Sequence, residues 1–158
     1  MLESCRRWVE EVVIGLDLCP FARAPWTAGA VRFSSSRAES LEELAAELLH
    51  EAEVSPGTTL LVAPDWSFED LLDAAALGEE LLPDWQVIVF HPDFRFADSD
   101  PADPANGVNR SPAGMLHLLR RREIEAASAA HPDVGGIPER NAELLRAQGT
   151  KASPASER

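Results

Sequence analysis

The feature that most constrains the fold is a pair of apolar runs, T-T-L-L-V-A at residues 58–63 and W-Q-V-I-V-F at residues 85–90. Both runs are rich in β-favouring residues, and neither alternates strictly between apolar and polar side chains. Strands of this kind are buried on both faces, as in a parallel sheet with helices packed against it. The sequence therefore predicts a sheet that is covered on both faces.

Helices are predicted between these strands. Ser40 and Glu43 are spaced as a capping box at the start of one helix, and Ser67 begins another that runs to about Leu82. Residues 30–34 alternate as in a half-exposed edge strand. The order strand, helix, strand, helix, strand with short connections is typical of a right-handed parallel α/β unit. Acidic residues of the first of these helices are expected to face solvent: Glu42, Glu43, Glu47 and Glu51.

Helical patterns also occur at both ends of the chain. Apolar residues recur at helical spacing from Leu2 to Leu16, with Cys5 on the buried stripe. Ser111-Pro112 is typical of a helix start, and L-H-L-L-R at 116–120 is interpreted as part of that helix. A last helix is expected from Pro138 to Gly149. The predicted fold is a single α/β domain, residues 1–149, with a short, mainly parallel sheet (a βαβαβ core) flanked by an N-terminal and two C-terminal helices, and a disordered polar tail at 150–158.

Charge limits the classes of partner. The 158 residues carry a formal net charge of -13 and a single lysine, Lys151. Binding to nucleic acid or to an anionic membrane depends on clustered basic residues, so neither is expected. No apolar run is long enough for a membrane span, and nothing resembles a signal peptide. We expect a cytoplasmic protein whose two cysteines are free thiols.

The best candidate for a ligand site is the segment Asn109-Arg110-Ser111-Pro112. If a helix starts here, a guanidinium and outward-pointing backbone N–H groups converge, as in sites for carboxylate or phosphate. Arg120, in a local group of arginines, is a further candidate ligand for one small anion. The alternative is that Arg110 pairs with a nearby carboxylate and only fixes its loop.

Three other side chains are candidates for chemistry. His91 follows the strand at 85–90 and precedes a long irregular stretch, and ligands of open parallel sheets bind at the carboxyl ends of strands. Cys19 follows the N-terminal helix in an apolar, proline-broken connection, and His117 shares a helical stripe near the Ser111-Pro112 start. The structural alternatives are a histidine bonded to its own loop, a buried anchor thiol and a satisfied core histidine.

Five short blocks resemble an uncharacterised bacterial family known as domain of unknown function 1415. The blocks are G-L-D-L-C-P-F-A at 15–22, T-T-L-L-V at 58–62, F-H-P-D-F at 90–94, N-R-S-P with L-H-L-L-R between 109 and 120, and E-R-N at 139–141. Where the family usually has an aromatic residue and a proline after N-R-S-P, this chain has Ala113 and Gly114. The resemblance implies no reaction and no cofactor.

The favoured function is a small-molecule enzyme or ligand-binding domain. In the enzymatic version Arg110 holds an anionic substrate, His91 or His117 moves a proton, and Cys19 acts as nucleophile or redox thiol. One alternative is a metal site of Cys19, His91 and His117, since three nitrogen and sulfur ligands plus water suit zinc. Another is a non-catalytic interaction protein, which an exposed Phe21 and Trp26 patch would favour.

Overall fold

A computed structural model of the chain describes residues 1–151, and most of the predicted polar tail, residues 152–158, lies outside it. The fold is a single α/β domain built on a four-stranded sheet of order β1-β2-β4-β3. The strands are β1 (Val31–Ser35), β2 (Thr58–Val62), β3 (Trp85–Phe90) and β4 (Met115–Arg120). β1 is an edge strand parallel to β2, as predicted. The sheet is mixed, however, because β4 runs antiparallel to both of its neighbours.

Strand β4 is the largest difference between the predicted and the observed secondary structure. The segment interpreted as part of a helix beginning at Ser111-Pro112 is extended, and His117 of β4 pairs with Leu60 on one side and Ile88 on the other. A short apolar run is compatible with either a helix or a buried strand. Insertion between β2 and β3 gives the backbone of β4 hydrogen-bond partners on both sides, and this non-local pairing overrides the helix-forming tendency of its leucines.

The helices are α1 (Leu2–Trp8), α2 (Arg23–Thr27), α3 (Leu41–Val54), α4 (Phe68–Leu81), α5 (Arg121–Ala130) and α6 (Ile137–Lys151). The caps of α3 and α4 are confirmed: the hydroxyl of Ser40 accepts the N–H of Glu43, and that of Ser67 accepts the N–H of Asp70. Of the two predicted C-terminal helices, the first is present only in its second half, as α5, because residues 115–120 form β4. The second is present as α6, which continues two residues beyond Gly149.

Helices α3 and α4 pack on one face of the sheet. Their apolar stripes meet alternate residues of the strands in the larger part of the core, which includes Leu48, Leu71, Val87 and Leu118. One acidic residue of α3 departs from the predicted solvent-facing set. Glu51 is 5% exposed and accepts a 2.7 Å hydrogen bond from Nε of Arg32 on β1. Burial acts to raise the pKa of Glu51, but the bond from Arg32 and its charge leave that pKa lowered.

The N-terminal segment covers the other face. α1 continues directly into a π-helix, Val9–Ile14, and Trp8 packs edge-on against Phe90 of β3 with ring centroids 5.3 Å apart. Cys5 is fully buried among Val62, Ala113 and their neighbours, as its place on the apolar stripe predicted. Burial raises the pKa of the Cys5 thiol, so this cysteine behaves as a small core hydrophobe.

Candidate functional site

A cleft of about 530 Å³ opens at the carboxyl ends of β2 and β3. One wall is the start of α4, which follows β2, and the other is the irregular segment that follows β3. This is the place where ligands bind in open α/β sheets. The polar side chains that line the cleft are Ser67, Glu69, His91, Asp93, Arg95 and Arg110. Two candidates from the sequence, His91 and Arg110, therefore lie together.

Arg110 is held by backbone carbonyls. Its Nε donates to the carbonyl of Phe94 at 2.9 Å and its Nη2 to that of Pro101 at 2.6 Å. Neither of these partners is a carboxylate, and no described ion pair involves Arg110. The alternative of a structural role therefore gains support in a different form: the guanidinium fixes the loop by binding its backbone. Donors on Nη1 are left for other acceptors.

Asn109 and Ser111 serve the backbone beside the cleft. The side-chain amide of Asn109 donates to the carbonyl of Val89, and the backbone carbonyl of Asn109 accepts the N–H of His91, so two hydrogen bonds tie Asn109 to the end of β3. Ser111 is buried, and its hydroxyl donates to the carbonyl of Ala113. Both residues position Arg110, and neither lines the cleft.

Arg120 does not belong to this site. It lies at the far end of β4, about 17 Å along the strand from Met115 at the rise of an antiparallel strand. There its guanidinium stacks 4.8 Å from the centre of the Trp85 ring and donates to the carbonyl of Ser55. The helix interpretation would have placed Arg120 closer, because the rise of a helix is less than half that of a strand. Arg120 does not line the cleft that contains Arg110, and its role as a ligand for a small anion stays a prediction.

His91 is buried at the base of the cleft with both ring nitrogens engaged. Nε2 lies 3.1 Å from the carbonyl of Trp66, and Nδ1 lies 3.0 Å from the backbone N–H of Asp93. A carbonyl can only accept and an N–H can only donate, so the ring is assigned as the neutral tautomer with its proton on Nε2. This is the loop-bound histidine that was the structural alternative for His91.

His117 lies on the opposite face of the sheet. Alternation along β3 places Ile88, the partner of His117, on the face covered by the N-terminal segment, and His91 on the α4 face. Nε2 of His117 is 2.7 Å from the hydroxyl of Thr58. Burial lowers the pKa of His117 to about 4, because the charged imidazolium loses hydration, so the ring is neutral at pH 7.

Cys19 lies in the connection after the π-helix, partly buried, and does not line the cleft. Its pKa is raised, chiefly because burial disfavours the thiolate, whereas backbone hydrogen bonds from Phe21 and Ala22 act in the opposite direction. This environment favours the thiol form at neutral pH.

The three side chains proposed as a zinc site do not come together. The sheet separates His91 from His117, and Cys19 is outside the cleft that contains His91. Within residues 1–151, no group of three or more histidine, cysteine, aspartate or glutamate side chains is arranged to hold a metal ion. The prediction of a metal site from these three residues was therefore wrong.

Phe21 and Trp26, whose exposure would favour an interaction protein, pack against other residues of this chain. Phe21 packs edge-on against His131, and Trp26 packs edge-on against Phe33 of β1, with ring centroids 5.8 and 6.1 Å apart. Both aromatic residues are partly buried rather than exposed. No helix within the described residues is long and apolar enough to cross a membrane.

Comparison with known proteins gives the family. The model of the family described as "Protein of unknown function (DUF1415)" matches residues 1–154, nearly the whole chain. The chain belongs to this family. No curated protein and no solved structure gives a significant match.

Within this DUF1415 chain, the sequence blocks that carried the resemblance meet in pairs. F-H-P-D-F meets N-R-S-P at the cleft, where Asn109 and Arg110 bind the backbone of residues 89–94. Away from the cleft, E-R-N meets G-L-D-L-C-P-F-A: Asn141 donates to the carbonyl of Leu18 and Arg140 to that of Asp17, a residue with positive φ. In both pairs a side chain of one block fixes the backbone of the other.

One residue that braces the loop beside the cleft has no recognisable signal in the sequence. Asn106 is fully buried inside the long irregular stretch. Its side-chain oxygen accepts the N–H of Phe96 and the hydroxyl of Ser99, and its nitrogen donates to the carbonyl of Asp100. Asparagine is common in irregular segments, and only the fold distinguishes a buried asparagine that hydrogen-bonds to its own loop from an exposed turn residue.

Proposed function

We propose that this protein binds a small anionic molecule in the cleft between the start of α4 and the loop that follows β3. The observation that carries the proposal is that the start of a 14-residue helix and the guanidinium of Arg110 face the same cleft. A location in the cytoplasm is part of the proposal.

The start of α4 supplies backbone donors. The hydroxyl of Ser67 accepts the N–H of Asp70, whereas the N–H groups of Phe68 and Glu69 have no acceptor within the helix because they belong to its first turn. Phe68 and Glu69 both line the cleft. Such donors, together with the partial positive charge of the helix end, favour a carboxylate or a phosphate.

The charge of the lining supports the same ligand class. Arg95 and Arg110 offset Glu69 and Asp93, so the charged side chains of the lining are balanced in a chain whose net charge is -13. An anion that approaches the protein is repelled less here than at the acidic outer surfaces of α3 and α4. A large polyanion would also contact the acidic surfaces of α3 and α4 and be repelled by them, which favours a small molecule over nucleic acid as the ligand.

Ligand binding accounts for the geometry better than catalysis does. Cys19 and His117 do not line the cleft, and both ring nitrogens of His91 are held by the backbone. Of the three catalytic candidates, only His91 lies close enough to exchange a proton with a ligand in an enzymatic version, and it must first give up one of these bonds. Cys19 and His117 are not part of the proposed binding site.

The test is a titration of isotope-labelled protein with inorganic phosphate and with acetate, followed by NMR at constant ionic strength. We expect saturable shifts of the amide resonances of Phe68 and Glu69 and of the Nε–H resonance of Arg110. Arg110→Gln should weaken binding about tenfold, the effect of losing a hydrogen bond to a charged group. Arg95→Gln, which removes an exposed guanidinium, should weaken it about two- to fivefold.

The matched control is Arg122→Gln, which removes the same charge from an exposed position on α5. It should leave both affinities unchanged. Because Arg110 also fixes the loop, each variant is first compared with the wild type by thermal unfolding. Saturable shifts confined to other parts of the chain, or equal losses in the Arg95 and Arg122 variants, would refute the proposed site.

A further inference from the structure

We infer that the ligand of this cleft is a zwitterion, with its anionic group against Arg110 and the start of α4 and a cationic group, such as an ammonium, against Asp93. This inference rests on the proposed function and adds the charge pattern of the ligand. It follows from which charges of the lining are already compensated within the protein and which are not.

One pair of charges in the lining compensates itself. Nη2 of Arg95 lies 3.7 Å from a carboxylate oxygen of Glu69, and both side chains are more than half exposed at the mouth of the cleft. A ligand gains less from either group than from an uncompensated charge, since each already has a partner of opposite charge. The charge pattern of the ligand is therefore set mainly by the two remaining charged residues of the lining, Arg110 and Asp93.

These two residues carry opposite charges, and neither has an oppositely charged ion-pair partner among the described residues. Arg110 binds two neutral carbonyls, and no described ion pair includes it. The only ion-pair contact of Asp93 among the described residues is with Nδ1 of His91 at 3.8 Å, and that ring is assigned as neutral. One positive and one negative charge therefore line the same cleft, and neither forms an ion pair with a charged side chain among the described residues.

The depth of the two groups fixes the orientation of the ligand. Arg110 is partly buried against the loop, whereas the side chain of Asp93 is 84% exposed. The anionic end of a ligand reaches the inner part, where backbone donors of α4 add to Arg110. A cationic end then remains near the rim, where it keeps part of its hydration and still meets a carboxylate.

The experiment compares zwitterions with anions of the same chain length. The zwitterions are glycine, β-alanine, 4-aminobutyrate and 5-aminovalerate, and the matched anions are acetate, propionate, butyrate and valerate. Affinities are measured by NMR titration at pH 7 and constant ionic strength. For at least one chain length the zwitterion should bind about two- to fivefold more tightly than its anion, the effect of an additional exposed ion pair.

Asp93→Asn should abolish this advantage and leave the affinity of the simple anion equal or slightly higher. The backbone N–H of Asp93, which binds His91, is unaffected by the substitution, so the loop should keep its structure. The matched control is Asp98→Asn, on the same exposed loop but outside the lining, and it should preserve the advantage.

The outcomes separate this inference from the proposed function. If the anions bind at the cleft but no zwitterion binds more tightly, or if the advantage survives in Asp93→Asn, the inference is wrong and the anion site stands. If neither the anions nor inorganic phosphate produce saturable shifts at the start of α4, the proposed function itself is wrong, and the inference falls with it.

Discussion

Replacing Arg110 by lysine tests the structural role of this side chain in the loop after β3. The guanidinium bridges two carbonyls that lie seven residues apart in the chain, those of Phe94 and Pro101. It can do so because Nε and Nη2 are two separate donors held side by side in one rigid plane. A lysine ammonium on a flexible stem can reach one of these carbonyls but cannot hold both. We therefore expect Arg110→Lys to release one end of the loop.

The magnitude follows from the bonds that are lost. A hydrogen bond to a charged group contributes about 1.5–3 kcal/mol, and the lower end applies here because the contact with Pro101 is exposed. Arg110→Lys should therefore lower the free energy of unfolding by about 1.5 kcal/mol. For a chain of this length that corresponds to a decrease in Tm of about 3–6 °C. Arg110→Ala, which loses both bonds, should cost about twice as much.

Urea unfolding at pH 7, monitored by tryptophan fluorescence, measures this loss, with Arg122→Lys as the control at an exposed position. The control should stay within about 0.5 kcal/mol of the wild type. If Arg110→Lys is as stable as the control, the two carbonyl bonds do not hold the loop, and the geometry of the cleft wall loses its physical basis.

Three further predictions concern individual side chains. Ser67→Ala should lower the free energy of unfolding by about 1 kcal/mol in thermal or urea unfolding, because the N–H of Asp70 loses its cap. His117 has a lowered pKa in the folded state, so its contribution to stability is complete above pH 6.5 and is lost as the pH falls towards 4, by up to about 3 kcal/mol. The difference in stability between wild type and His117→Gln should change over that window, and a constant difference would contradict the partly buried, neutral ring. Thiol labelling of the native protein should modify Cys19 and spare fully buried Cys5, and faster reaction at Cys5 would contradict the packing of α1.

The parts of the fold that sequence could predict are those fixed by neighbouring residues. Ser40 and Ser67 begin their helices because a hydroxyl can reach an N–H three residues ahead, and that spacing is visible in the sequence. Likewise, Cys5 is buried because it belongs to a helical apolar stripe. The burial of Glu51 could not be read in the same way, because its partner Arg32 lies on a strand 19 residues earlier.

The candidate site was predictable only in part for the same reason. His91 follows a strand, so its place at the carboxyl ends of the strands could be inferred from the sequence alone. The separation of His91 from His117 could not, because it depends on β4 being a strand and on its register against Ile88. The hydrogen bonds of Asn106 could not be predicted either, because they join residues up to ten positions apart in a loop whose sequence has no periodic pattern.

Arg110 reaches the predicted end of the sheet even though the residues directly after it lead into β4 rather than into a helix. β4 runs antiparallel to β2 and β3, so its first residue lies beside their last residues, as the pairing of Met115 with Val62 and Phe90 records. The segment that precedes β4 must therefore pass over the carboxyl ends of these strands. A helix start is present there as well, but it is the start of α4, which follows β2 directly. The combination of a guanidinium with a helix N-terminus thus arises from two segments more than 40 residues apart, and the antiparallel insertion of β4 is what brings them together.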